Sequence, residues 1–199
     1  MQRRVRLAIA SSSLALVAAG CGMTQRLAVG SMVPVLEITA AAARERGIVK
    51  TVGEALPANL LLLDGLIRTD PRNARLLSLG AFLYFGYALG WVEASDPELA
   101  SHYYATGRDY GLRALERHDA FRKGRQGNVA AFQGGLASLG KADVPALAWT
   151  GANWARWLSL NLDSPAAIAE VPRIEALLDR LLELDPGFER GLPHALRGS

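Results

Sequence analysis

LLSLGAFLYFGYALGWV, residues 76–92, runs for 17 positions without a charge. Its reading decides the fold. A helix of about 20 apolar residues spans a bilayer, and Gly86 and Gly90 form a GxxxG of the kind that joins membrane helices. Against that, the stretch is of minimal length, and Arg72, Arg75, Glu93 and Asp96 flank it closely. A helix enclosed by other helices is apolar on all sides because it is the core. The core reading is adopted, with a membrane span over 76–92 as its rival.

The rest of the chain supports that choice. Apolar residues recur at three- and four-residue spacing, the mark of packed helices. The expected helices are Val33–Arg46, Ala55–Thr69, Ala74–Ala94, Glu98–His118, a helical part of 128–139, Asp143–Leu162 and Arg173–Leu184. Asp70-Pro71, Ser95-Asp96-Pro97, Asp163-Ser164-Pro165 and Asp185-Pro186 separate them, since proline disfavours helix at the residue before it. Arg122-Lys123-Gly124-Arg125 reads as a solvated loop. Gly80, Ala81, Gly86, Ala88 and Gly90 are expected to let helices approach closely, at up to roughly 1 kcal/mol of helix propensity per glycine. Nothing reads as a hairpin or a βαβ unit, so the fold class is all-α in one domain. LLLLDGLIRTDPRN (60–73) and IEALLDRLLELDPGF (174–188) are alike Leu-rich helix ends closed by Asp-Pro, as in tetratricopeptide-like pairs. They lie 115 residues apart, not a whole number of repeats of about 34 residues. The expected architecture is therefore a degenerate tetratricopeptide-like α-solenoid.

The N-terminus has a different character. Arg3, Arg4 and Arg6 precede 14 uncharged residues, Leu7–Gly20, a length that suits the apolar core of a signal peptide, about 7–15 residues. Ala18, Ala19 and Gly20 then precede Cys21, the chain's single cysteine. This is the arrangement of a bacterial lipoprotein, with lipidation at Cys21. The expected organisation is a signal peptide over 1–20, a lipidated linker over 21–31 and a helical domain over 32–199. The chain carries +3 from 22 basic and 19 acidic residues. Losing three arginines with the signal leaves the remainder neutral, and no basic patch for nucleic acid is expected.

Chemistry-bearing patterns are sparse. GxSxG, P-loop, HExxH and dinucleotide fingerprints do not occur. His102, His118 and His194 assemble only into pairs such as Glu98/His102 and His118/Asp119, short of a metal set. The expectation is no enzyme, no catalytic residue, no metal and no cofactor. The aromatics say more. Trp149, Asn153 and Trp157 share one helix stripe, Trp154 and Asn161 share its neighbour, and Tyr84, Tyr87 and Trp91 make another. Aromatics at helical spacing form core. With Asn153 and Asn161 set among them they also describe a ligand-cleft wall. These eight residues are the candidate ligand-binding set.

RLAV (26–29), EALPANLLLLDGLIRTDPRN (54–73), GYALGWVEASDPELASHYYATGRDYGLRAL (86–115), NWARWLSLNLD (153–163) and IEALLDRLLELDPGF (174–188) resemble the TatT lipoproteins. These are the T component associated with some tripartite ATP-independent periplasmic (TRAP) transporters. The resemblance implies a tetratricopeptide-like fold, a lipid-anchored periplasmic location, no enzymatic activity and association with a periplasmic solute-binding protein. It further implies a homotrimer with clefts or pores that guide a small organic ligand. Anchoring would be through lipid alone, with the inner face of the outer membrane favoured over the inner membrane. Against the family pattern the chain is short at its C-terminus, ending GLPHALRGS. The alternative function is a generic lipid-anchored helical-repeat adaptor for protein–protein contacts in the envelope.

Overall fold

The computed structural model describes the backbone of residues 2–45 and 49–198, and the side chains of 24–45 and 50–198. The signal expected over 1–20 and the lipidation expected at Cys21 lie outside the residues whose side chains are described. The described residues form α-helices joined by short turns, in the order α1 (Gln2–Glu45), α2 (Val49–Thr69), α3 (Ala74–Tyr87), α4 (Pro97–Leu115), α5 (Asp119–Arg125), α6 (Val129–Leu136), α7 (Val144–Ser159), α8 (Pro165–Ile168), α9 (Val171–Leu184) and α10 (Phe188–Gly198). No strand occurs among them. The fold is all-α.

Caps set the boundaries. Asn73 accepts from the Leu76 amide, Asp96 from Leu99, Asn128 from Ala131 and Ser164 from Ala167. Each satisfies a donor that the first helical turn leaves open. Pro97 and Pro165 sit in first turns, where the missing N–H costs nothing. Three local expectations are corrected. Arg122–Arg125 is helical in α5, because Arg122 pairs with Asp119 at 2.6 Å and Arg125 with Glu116 at 2.5 Å. His118, expected inside a helix, is the N-cap of α5. The helix over 74–94 widens after Tyr87 into a π turn, Ala88–Val92, where the Glu93 amide reaches back to the Ala88 carbonyl.

The core is built on α3, α4 and α7. Ring pairs Tyr84–Tyr110, Tyr87–Tyr103 and Phe85–Tyr104 run α3 antiparallel to α4. Gly111 against Thr150, Gly107 against Asn153 and Ser101 bonded to Asn161 run α7 antiparallel to α4. Gly107 and Gly111 carry the close approach: an added Cβ would fall 2.3 Å from Asn153 Oδ1 and 2.0 Å from Thr150 Oγ1. Gly80 does the same on α3, against Tyr110. Gly86 and Gly90, expected to serve in this way, face open space. The GxxxG that joins two helices is therefore on α4, not within 76–92.

Residues 24–45 and 74–92 are each long and apolar enough to cross a membrane. In 74–92, Leu76, Leu77, Ala81 and Ala88 are fully enclosed by neighbouring helices. Its apolarity goes into the core. Along 24–45, by contrast, Leu27, Met32, Val35 and Ile38 are exposed, and only Val29, Val33 and Ala40 are buried.

Candidate functional site

The eight candidate residues do not line one cleft; they divide among three places. Tyr84, Tyr87 and Trp91 join Tyr103 and Tyr110 in an aromatic stack. Tyr84 and Tyr110 both donate to the Asp64 carboxylate at 2.8 Å. Burial, then the Asp64 charge, pushes both phenols well above their ordinary range. Tyr87 stacks on Trp91 at 6.3 Å, and Trp91 lies against Gly53 of α2. Asp64, absent from the sequence-based set, is the group that organises this stack. It sits in a Leu-rich run whose periodicity marks it only as a polar interruption.

Asn153 is fully buried. Its Nδ2 donates to the Ala81 carbonyl at 2.8 Å and to Trp149 at 2.7 Å, tying α7 to α3. Nearby, Glu93 accepts from Tyr104 Oη and from the Arg156 guanidinium. The π turn immediately before Glu93 brings it to this position.

Trp149 is the candidate that lines a cavity. A space of about 270 Å³ lies between α1, α3, the end of α4 and the start of α7. Its apolar wall is Leu79, Phe82, Ala146 and Trp149, with Trp149 held 4.8 Å from Phe82. Its rim carries three arginines, each already paired. Arg75 binds Glu37 through two bonds, at 2.5 and 3.1 Å. Arg44 binds Glu189 at 2.7 Å and lies over Phe82. Arg117 binds Asp143 at 2.7 Å. Asp143 is only 3% exposed. Burial raises its pKa, but the Gly140 amide, His118 and Arg117 outweigh that and hold the carboxyl below its ordinary range. His118 thus faces Asp143, at 3.0 Å, rather than Asp119. An apolar pocket with a few placed polar groups is the usual form of a small-molecule site.

Comparison with known proteins bears on this arrangement. Residues 49–199 match the family described as TAtT, the TRAP transporter T-component. The chain belongs to that family. No curated protein matches the sequence. The matched region runs from α2 to the end of the chain, so all three aromatic groups of this T component fall inside it. Glu37 and Arg44, which close the cavity from α1, lie before it.

The third group is Trp154 and Trp157 on α7, with Asn161 just beyond its C-terminal end. Trp154 is buried and meets Phe132 edge-on at 6.1 Å. Asn161 donates to Ser101 Oγ and to the Trp157 carbonyl. The side chain facing these tryptophans from α4 is Arg108, whose guanidinium lies 4.6 Å from the Trp157 ring and 5.7 Å from that of Trp154. Sequence reasoning missed Arg108, since an arginine followed directly by Asp109 in GRDYGLR looks like an ordinary helix charge. No local signal in that turn of α4 points to the two rings, which come from a helix some 50 positions on in the sequence. Among the described residues no three His, Cys, Asp or Glu side chains converge on a point that would hold a metal.

Proposed function

We propose that this T component is a lipid-anchored periplasmic accessory protein of a TRAP-type uptake system. It binds the system's solute-binding protein and guides a small organic ligand toward it. Family membership over 49–199 carries the reading. The cavity at Trp149, about 270 Å³, supports the ligand-guiding part through its apolar wall with a few placed polar groups. The small-residue box before Cys21 supports the anchor, and the exposed apolar side chains of 24–45 suit a segment lying close to a membrane or a partner. A degenerate tetratricopeptide-like repeat and a homotrimer belong to the same proposal. The two Asp-Pro closures, at the ends of α2 and α9, support the repeat.

The test has two parts. Labelling cells with radioactive palmitate should mark the wild-type protein and leave Cys21→Ser unlabelled. Photo-crosslinking from Ser78, at the cavity, should capture the solute-binding protein. Labelling of Cys21→Ser at the wild-type level would remove the anchor. Crosslinks that never include a solute-binding protein would shift the reading to the generic envelope adaptor.

A further inference from the structure

The layer made by α1 and α2 is apolar on both of its sides. On α1, Val29, Val33 and Ala40 are buried against the rest of the fold, while Leu27, Val35 and Ile38 are 69, 62 and 69% exposed. At 3.6 residues per turn, that outer face runs from Leu27 through Ser31, Pro34 and Ile38 to Ala42 without a charge. On α2, Leu60, Leu63 and Ile67 are buried, and Leu61 and Leu62 are exposed, Leu61 at 74%. Ala58 and Gly65 share their outer face, which is uncharged as well. The carboxylate in that stretch, Asp64, is taken inward by Tyr84 and Tyr110. Between the two helices lies a recess of about 370 Å³, with Leu36, Ala40, Val52, Leu56 and Leu63 among its walls and no charged residue lining it. An apolar surface that spans two helices and the groove between them marks a contact.

The border of this surface has a sign. α1 ends at Glu45 and α2 begins at Val49, so the two helices run antiparallel, and Arg26 lies at the end where α2 finishes. Arg68 is in the last turn of α2, and Arg72 follows it. All three arginines are exposed, and none pairs with a carboxylate among the described residues. Arg75 and Arg44, at the neighbouring cavity, are by contrast paired to Glu37 and Glu189. Glu54 is met by Lys50, and Glu45 stands at the opposite end of the layer. Residues 24–45 have the length and hydropathy of a membrane helix, and in the backbone they continue the helix that holds the apolar 7–20.

We infer that the outer face of α1 and α2 lies flat on an anionic lipid bilayer. Leu27, Val35, Ile38, Leu61 and Leu62 enter the boundary between headgroups and acyl chains, and Arg26, Arg68 and Arg72 meet the lipid phosphates. Apolar side chains gain by leaving water there, and basic groups at the rim are drawn to the negative surface. The long arginine stems let the charges stay at headgroup level while the face sinks below them. A second copy seated through the same face would bring no acid to these arginines. The inference requires neither acylation of Cys21 nor the partner reading.

The full-length chain carrying Cys21→Ser is reconstituted with vesicles of phosphatidylglycerol and phosphatidylcholine. One cysteine is introduced by Ile38→Cys, Leu61→Cys or Lys123→Cys and labelled with a nitrobenzoxadiazole dye. Quenching by lipid spin-labelled in its acyl chains then reads depth. The labels at Ile38→Cys and Leu61→Cys should both be quenched, and the label at Lys123→Cys, exposed on α5, should not. A chain held only by its N-terminus would show no quenching at any of the three. Vesicles of phosphatidylcholine alone, or high salt, should weaken the effect at both sites. Arg68→Gln and Arg72→Gln should each lower the docking equilibrium roughly fivefold. Leu61→Glu, at an exposed position, should abolish quenching at Ile38→Cys and leave the circular dichroism spectrum unchanged. Quenching at neither site, quenching at Ile38→Cys without Leu61→Cys, or equal quenching in neutral and anionic vesicles would each overturn the inference. Shielding of both labels that needs no lipid and grows with protein concentration would also overturn it, and would assign the face to a second copy of the chain.

Discussion

Gly111→Ala puts one methyl group where α4 meets α7. The new Cβ would lie 2.0 Å from Thr150 Oγ1, 3.0 Å from its Cβ and 3.2 Å from its Cα. Thr150 is fully buried, and its hydroxyl donates to the Ala146 carbonyl at 2.6 Å. Turning the hydroxyl aside breaks that bond and still leaves the Cα in the way, so the helices must part. Overpacking of this kind costs about 1–3 kcal/mol, and the better helix propensity of alanine returns up to about 1 kcal/mol. The net loss is about 1–2 kcal/mol, or roughly 2–8 °C of Tm for a chain of this length. Gly65→Ala on α2 is the control, because no atom lies within 4 Å of its added Cβ. It should gain up to about 1 kcal/mol and raise Tm by roughly 2–4 °C. Thermal melts followed by circular dichroism, in one detergent for all three proteins, read the opposite signs. Gly111→Ala melting at or above the wild type would refute this α4–α7 packing.

Asp64→Asn removes the charge shared by Tyr84 and Tyr110 and should cost about 1–2 kcal/mol, read by denaturant unfolding. Acid should act through Asp143. Its folded pKa is depressed below the ordinary 3.8, so its contribution is present above that pH and is lost as pH falls through the folded value. The wild type should therefore lose stability more steeply than Asp143→Asn on acidification below about pH 4. At the alkaline end, burial pushes Tyr104 up to about 12 from an ordinary 10.0. Stability held by the neutral phenol is intact below about pH 10 and lost as pH rises toward about 12, and Tyr104→Phe should remove that late step from an ultraviolet absorbance titration.

Helix positions were legible wherever a cap or a proline spoke locally. Asp70-Pro71, Asp96-Pro97, Ser164-Pro165 and Asp185-Pro186 each stand at a helix boundary, because their chemistry acts within one turn. The core status of 76–92 followed from the same local logic. α5 and α10 were not legible: α5 is seven residues long, and α10 begins through Glu189, Arg190 and Gly191 at positive φ, a bend that two non-glycine residues do not announce. Which glycines matter was also hidden. Gly86/Gly90 and Gly107/Gly111 share the same GxxxG spacing, yet only Gly107 and Gly111 meet the partner helix, and only tertiary packing decides that. The candidate site was legible as residue types and not as places. Helical periodicity put Trp149, Trp154 and Trp157 on stripes, but one stripe can face three neighbours. Asp64 and Arg108 were missed because a charge in an amphipathic helix carries no mark of the aromatic rings it will meet.

Native mass spectrometry of the protein gently extracted from its own cell envelope tests the central claim most directly. The account predicts a subunit that begins at Cys21, carries added acyl mass and stays bound to a periplasmic solute-binding protein. An unacylated subunit that begins upstream of Cys21 and carries no such partner would contradict it.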